Sequence, residues 1–202
     1  MRGDVGTAEA MLAGLQTLRA SEDPQDQAKV SLAEAFTAAA RGQPADALRH
    51  ARAVMGHANA LGISDGTLRW AWPLAARAAH DIGDTTATSE LLTLLDAYQP
   101  GQLAPMLHAE RDLVRVRLAA SDGNQVTETA FTTAVSGLRE QSTLYHLAHG
   151  LLDHAEYITP LGDASAAAAA LDEARDIGHR LRCQPLLGRA AHITTAKSPA
   201  QA

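Results

Sequence analysis

Three side chains with metal-binding chemistry recur on one predicted helix, over residues 143–159. His146, His149 and Asp153 are three and four residues apart, so they share a helical face. Imidazole and carboxylate groups are zinc ligands, but a complete site would need a further ligand from another helix. No His-Glu-x-x-His motif accompanies them. One hypothesis is therefore a metal-dependent enzyme, and the alternative is that these are ordinary histidines of a surface or groove.

Cys183 is the single cysteine of the chain and lies at a predicted turn between helices. A helix N-terminus could lower the pKa of its thiol, or the residue could be a half-buried and inert part of the turn. One cysteine excludes an intrachain disulfide framework and fits a reducing, cytoplasmic location. No Gly-x-x-x-x-Gly-Lys-Ser/Thr phosphate loop is present. We predict a protein without enzymatic activity and without a cofactor.

The composition indicates a helical fold and limits the classes of partner. Hydrophobic residues make up 46% of the 202 residues, mostly as Ala and Leu, and aromatic residues only 3%. Small side chains of this kind suit helices that approach closely. The formal charge of −6 argues against nucleic acid as a partner. The longest apolar stretch, residues 166–171, is too short to cross a membrane, so we expect no membrane association.

Five glycines recur at an almost constant interval. These glycines are Gly3, Gly42, Gly83, Gly123 and Gly162, with spacings of 39, 41, 40 and 39 residues. A polar residue follows each glycine. Glycine just after an apolar helical pattern is typical of the left-handed residue that ends a helix. Three of the following residues are Asp, which can cap the next helix. A period near forty predicts a repeated helix-turn-helix hairpin.

The rest of each hairpin follows the same count. Apolar residues stand seven and four positions before most of the glycines, as at Ala35 and Ala38, and they predict a small apolar seam on the first helix of each hairpin. The unit after Gly123 fits poorly, which suggests an insertion around residues 122–124. The pattern predicts about ten helices, over residues 5–20, 25–41, 44–61, 65–82, 85–98, 103–121, 125–139, 143–159, 164–181 and 185–196. Pro73 predicts a kink or a later start in the fourth helix.

This pattern resembles the tetratricopeptide repeat family over nearly the whole chain. Pro100 stands where that family often closes a unit. The resemblance implies an all-α, right-handed superhelix, a solenoid of antiparallel helices whose first helices line a concave face. We expect one such domain over residues 1–193, followed by a flexible tail over residues 194–202.

A second resemblance concerns about forty residues near the end of the chain. Residues 150–156 and 181–190 are similar to the C-terminal helical repeat region of actinobacterial signalling ATPases, adenylate cyclases and transcription activators. The resemblance implies a regulatory arm, with an ATPase or cyclase domain elsewhere in the full-length protein. With Gly3 as a turn glycine, the chain would begin at the second helix of a hairpin. We therefore expect it to be a fragment of a larger regulator.

The repeat also predicts which side chains face the concave groove. Positions thirteen, six and three before a turn glycine point into it, and from these we select Trp70, Arg77, His80, Glu110, Arg117, His149 and Glu156. The first unit contributes Lys29, Phe36 and Ala39. Arg77 and Arg117 could bind a carboxylate or phosphate, and Trp is a frequent interface residue. The alternative is that the tryptophans pack in the core and the arginines pair with Glu110 and Glu156.

The leading hypothesis is a signalling or transcription-regulating module that binds a protein segment or an anionic ligand in this groove. The metal-dependent enzyme is one alternative. Another is a self-association module, in which a helical edge over residues 5–19 forms a homodimer.

Overall fold

The computed structural model describes residues 3–99, 101–122 and 128–195. In these ranges all regular structure is helical and no strand occurs. The α-helices are α1 (Val5–Ala13), α2 (Gln16–Arg19), α3 (Pro24–Ala40), α4 (Pro44–Met55), α5 (Ala58–Leu61), α6 (Gly66–Asp81), α7 (Thr85–Asp96), α8 (Pro105–Ser121), α9 (Glu128–Gln141), α10 (Leu144–Ile158), α11 (Ala164–Leu181) and α12 (Gln184–Thr195). A 3₁₀ turn, Thr159–Leu161, follows α10. The all-α class is thus confirmed for the described residues.

The predicted turn glycines adopt the left-handed backbone. Gly3, Gly42, Gly83 and Gly162 have φ values of 87°, 71°, 71° and 87°. At two of these turns the amide after the glycine donates a hydrogen bond to the carbonyl five residues earlier. The Gln43 amide donates to Ala38 and the Asp84 amide to Ala79, both at about 3 Å. These bonds satisfy carbonyls that the helix end would otherwise leave unpaired. Gly123 and Pro100 lie outside the described residues.

The aspartates after these glycines cap the next helix, as predicted. The carboxylates of Asp4, Asp84 and Asp163 each accept a hydrogen bond from the amide three residues further on, at 3.0, 2.8 and 2.9 Å. Each bond satisfies one of the free N–H groups at a helix start. The same kind of amide bond lowers the pKa of Asp4 below its usual value.

Two predicted helices are interrupted. The helix expected over residues 5–20 ends at Gly14 and resumes as α2, and the one expected over 44–61 ends at Gly56 and resumes as α5. Glycine weakens a helix because it has the largest backbone entropy to lose, and both breaks fall on one. The fourth predicted helix corresponds to α6, which begins at Gly66 and contains Pro73 in its interior. The predicted later start of this helix at Pro73 is therefore not found.

The chain divides between Val114 and Arg115 into two compact units. In the N-terminal unit, which begins at Asp4, α3 packs on α4, α4 on α6 and α6 on α7, and α3 also contacts α6. In the C-terminal unit, which begins at Arg115, α9 packs on α10, α10 on α11 and α11 on α12, and α10 also contacts α12. Within each unit, therefore, consecutive helices pack together and successive first helices touch.

The helix contacts are built from small side chains. The predicted seam residues Ala35, Ala38, Ala76, Ala79, Ala155 and Ile158 are buried, which confirms the seam before three of the glycines. Val116 and Ala119, the seam residues before Gly123, are only half-buried. The small residues of the seam let helix backbones approach, and larger groups fill the remaining space. The largest of these is Trp72, which is fully buried and donates from Nε1 to the carbonyl of Leu91 at 2.9 Å.

Candidate functional site

The predicted groove residues all lie on helices that the repeat pattern predicts to be the first of a hairpin. Helix α6 carries Trp70, Arg77 and His80, helix α8 carries Glu110 and Arg117, and helix α10 carries His149 and Glu156. Trp70, His80 and His149 are half-buried and Glu156 is exposed, whereas Arg77, Glu110 and Arg117 are buried. The predicted groove residues thus fall into two groups, accessible side chains and buried charged side chains. Each buried charged side chain has a partner of opposite charge.

Arg77 and Glu110 form a buried ion pair in the N-terminal unit. One Nη of Arg77 donates to both carboxylate oxygens of Glu110, at 3.0 and 2.9 Å. The two side chains are only 10% and 1% exposed. The pair joins α6 to α8 across 33 residues, nearly one period of the repeat. The sequence left two interpretations of Arg77 open, binding of an anionic ligand or pairing with Glu110. The structure shows the pairing with Glu110.

Asp153 is the centre of a second buried network, in the C-terminal unit. Its carboxylate lies 3.3 Å from Nη1 of Arg117 on α8 and 2.6 Å from Nη2 of Arg189 on α12. Arg189 also binds Glu156, with Nε to Oε1 at 3.1 Å and Nη2 to Oε2 at 2.6 Å. The partner of Glu156 is therefore Arg189 rather than one of the two predicted arginines. Here a single α10 carboxylate binds side chains of two other first helices.

The network keeps Arg189 charged although it is largely buried. Burial alone lowers the pKa of a guanidinium, but the negative charges of Asp153 and Glu156 outweigh this effect, so the pKa of Arg189 lies above its usual value.

The histidines of α10 do not assemble a metal site with Asp153. His146 is 1% exposed and its Nδ1 lies 3.0 Å from the hydroxyl of Thr143, the residue that caps α10. His149 has its Nδ1 3.5 Å from Arg189. Within residues 3–99, 101–122 and 128–195, no three His, Cys, Asp or Glu side chains are arranged to hold a metal ion. Asp153 instead binds guanidinium groups.

The two tryptophans have different environments. Trp72 belongs to the core, whereas Trp70 is half-buried and meets the ring of Phe36 on α3 edge to face, with centroids 6.1 Å apart at 64°. Phe36 is half-buried as well. Trp70 thus combines a large ring, a fixed position and partial exposure, which are properties of interface residues.

Cys183 is buried, and this burial raises the pKa of its thiol. The direction is opposite to that of an activated cysteine, which agrees with the inert interpretation.

Sequence reasoning missed Arg189 and the role of Asp153 as its partner. A signal was available, because opposite charges on first helices recur about one period apart, as Asp153 and Arg189 do at 36 residues and Arg77 and Glu110 at 33. A search for opposite charges about one glycine period apart would therefore have predicted this kind of pairing between neighbouring first helices.

The sequence matches no known family model, and no curated protein is significantly similar to it. Among the helices of the described residues, none is long and apolar enough to cross a membrane.

Proposed function

We propose that this chain is a non-enzymatic interaction module, a right-handed solenoid of tetratricopeptide-like hairpins that binds a protein segment along its first helices. The observation that carries the binding role is the position of Trp70. This residue is half-buried on α6, against Phe36 of the preceding first helix, while its neighbour Trp72 supplies the core. A protein poor in aromatic residues thus keeps one Trp–Phe pair at an accessible position.

The repeat-periodic contacts support the solenoid. Side chains about one repeat period apart bind each other on equivalent helices. Arg77 binds Glu110 on the first helices, and on the second helices Arg52 binds Glu90 and Arg139 binds Glu173. Contacts between equivalent helices of neighbouring units are what a stack of hairpins produces.

The buried ion pairs favour a protein segment over a small anion as the ligand. An anion at Arg77 would have to displace Glu110, and one at Arg117 would have to displace Asp153, and each carboxylate would then lose a buried counter-ion. The resemblance of residues 150–190 to repeats of signalling proteins supports a regulatory role, in the cytoplasm.

A selection from a random peptide library displayed on phage tests the proposal. The affinity of the selected peptides would be measured by fluorescence anisotropy for the unchanged protein, for Trp70→Leu and for a control variant, Thr86→Ala, at an exposed position of the second helix α7. We expect Trp70→Leu to weaken binding at least about tenfold and the control to have no effect. Equal affinities for all three proteins would remove the first helices as the binding surface.

A second candidate function is self-association through α1 and α2. These two helices bury none of their residues, and Met11 remains 69% exposed. Apolar side chains at such an edge are typical of an interface between copies. Sedimentation velocity at several concentrations would show a dimer if this is correct, and Met11→Glu would abolish it. A monomer at every concentration would exclude it.

A further inference from the structure

The turn between α11 and α12 has the backbone geometry of the glycine turns but carries an arginine at the left-handed position. The Cys183 amide donates to the carbonyl of Gly178, five residues earlier, at 2.9 Å, as the amides after Gly42 and Gly83 do at their turns. Arg182, with a φ of 51°, takes the place of those glycines, and in the described residues no other non-glycine residue has a positive φ. Since this backbone is unfavourable for any residue with a Cβ, the turn keeps a side chain at an energetic cost that glycine would avoid.

Arg182 belongs to an exposed basic and apolar surface, which we call the α11 turn surface. It consists of Arg180, Leu181 and Arg182, all three exposed, and Leu181 leaves 36% of its area in solvent. The turn beneath it is held in place, because Cys183 is 2% exposed and α12 packs on α11. The packing is so close that a Cβ added at Gly178 would lie 2.8 Å from a side chain of α12. The three side chains therefore project from a fixed backbone.

The two arginines of the α11 turn surface have no acidic partner. Carboxylates bind other arginines of the C-terminal unit, namely Arg117, Arg139, Arg175 and Arg189. In the part of the chain that the structure describes, the side chains of Arg180 and Arg182 make no hydrogen bond or ion pair. Even Asp176, one helical turn before Arg180, does not bind it. Two guanidinium groups on either side of an exposed leucine are thus open to a partner.

The charge of the C-terminal unit as a whole does not oppose an acidic partner. Residues 115–202 contain 9 acidic and 8 basic side chains, which gives a formal charge of −1. Charges beyond about a Debye length, roughly 8 Å at physiological salt, are largely screened. Arg180 and Arg182 therefore determine the potential at their own surface.

We propose that the α11 turn surface binds an acidic protein segment in which an apolar side chain lies between two carboxylates. Guanidinium groups bind carboxylates through two parallel hydrogen bonds, and arginine is one of the residue types that dominate interface energetics. Leu181 supplies the apolar contact between the two ion pairs. Three residues bury little area, so this is a weak, transient docking point. It lies on the C-terminal unit, whereas Trp70 lies on the N-terminal unit, and the inference does not depend on the proposed function.

An anionic membrane is the competing source of negative charge. Basic clusters that bind such membranes contain about four to eight Lys or Arg residues, and the α11 turn surface contains two. Asp172 and Asp176 are exposed on the last three turns of the same helix, and a flat anionic surface would repel their carboxylates. A peptide can bind Arg180 and Arg182 without approaching them. These features favour the acidic segment.

The test is a titration of the isotope-labelled full chain with nine-residue peptides, followed by amide chemical shifts in NMR. The peptides consist of Gly and Ser around a central Glu-Leu-Glu, Gln-Leu-Gln or Glu-Ser-Glu. We expect the Glu-Leu-Glu peptide to bind about tenfold more tightly than the Gln-Leu-Gln peptide, because each exposed ion pair contributes up to about fivefold. The Glu-Ser-Glu peptide should bind more weakly than Glu-Leu-Glu, and the largest shifts should fall on residues 179–184.

Arg182→Gly separates binding from stability. Glycine removes one guanidinium group and relieves the left-handed backbone, so the variant should bind the Glu-Leu-Glu peptide about three- to fivefold more weakly and unfold at a higher temperature. Arg180→Gln should weaken binding to a similar extent without this gain in stability. The matched control is Lys29→Gln, which removes an exposed positive charge from α3 and should leave binding unchanged.

Two outcomes would overturn the inference. One is equal affinity for the Glu-Leu-Glu and Gln-Leu-Gln peptides, or binding that is indifferent to both Arg180→Gln and Arg182→Gly. The other is the absence of peptide binding, and if Arg182 is then required for sedimentation with vesicles of phosphatidylcholine and phosphatidylserine, a membrane is the source of charge. Trp70→Leu should leave binding of the Glu-Leu-Glu peptide unchanged, so this test and the phage selection can fail independently.

Discussion

Asp153 of α10 and Arg189 of α12 lie 36 residues apart in the chain and are joined by a hydrogen bond of 2.6 Å. Arg117 of α8 approaches the other oxygen of the same carboxylate at 3.3 Å. Asp153 is 3% exposed, so its carboxylate is stabilised by these guanidinium groups rather than by solvent. The carboxylate fixes the positions of the side chains from two other helices of the C-terminal unit, and the stability of that unit should depend on it.

Asp153→Asn should destabilise the protein by about 3–5 kcal/mol, because it leaves the positive charges of Arg117 and Arg189 buried with less compensation. Asp172→Asn is the matched control, since Asp172 pairs with Arg175 at an exposed site and its loss should cost less than about 0.5 kcal/mol. Urea denaturation measures both. Similar unfolding free energies for the two variants would show that the buried network does not depend on Asp153.

The Arg77–Glu110 pair should show strong coupling in a double-mutant cycle. Arg77→Met and Glu110→Leu each leave one buried ion without its counter-ion and should each cost about 3 kcal/mol or more. The variant with both Arg77→Met and Glu110→Leu should recover much of the loss, because the buried pair is replaced by apolar groups. Additive effects, measured by chemical denaturation, would contradict a direct interaction.

The left-handed residues that end α6 and α11 predict opposite effects of substitution. Gly83 has a φ of 71° and open space where a Cβ would lie, so Gly83→Ala should cost about 1 kcal/mol through the backbone alone. Arg182 has a φ of 51° with a side chain in place, and Arg182→Gly should stabilise the protein by up to about 1 kcal/mol.

Gly188 provides the control for these two positions. It lies in α12, its φ is not positive and no atom lies within 4 Å of an added Cβ. Gly188→Ala should therefore stabilise the helix by about 0.5–1 kcal/mol. Thermal unfolding that shifts in the same direction for Gly83→Ala and Gly188→Ala would refute the assignment of the turn.

His154 should make the stability depend on pH. Its ring stacks on that of Phe131 in the C-terminal unit, with centroids 5.9 Å apart, and burial lowers its pKa, although Glu128 opposes the shift. As the pH falls below the unfolded value of about 6.5, the unfolded chain takes up a proton that the folded chain still refuses, so the folded state loses stability. The loss ends once the pH has passed the lowered pKa.

We therefore expect the unfolding free energy to decrease as the pH falls below about 6.5, and His154→Phe to reduce this slope. His179→Gln, at an exposed position of α11, should leave the slope unchanged. The measurement is urea denaturation across this pH range. An equal slope in both variants would show that other groups cause the dependence.

The sequence was sufficient for the turns at Gly42, Gly83 and Gly162. Glycine at a left-handed position and aspartate at a helix start act through the backbone of a few neighbouring residues, so Gly42, Gly83 and Asp84 could be assigned without knowledge of the tertiary structure. The breaks at Gly14 and Gly56 were missed because an interior glycine is tolerated in many helices, and its outcome depends on the contacts of the flanking turns.

The candidate site shows where sequence reasoning ends. The repeat period placed Trp70, Arg77 and Glu156 on first helices, because side-chain direction follows from helical geometry. Only the tertiary structure decided that Arg77 is buried with Glu110, that Arg189 binds Glu156 and Asp153, and that Trp70 remains accessible. Ion pairing depends on distances between residues more than thirty positions apart, and burial depends on what the neighbouring helix contributes, which no local pattern contains.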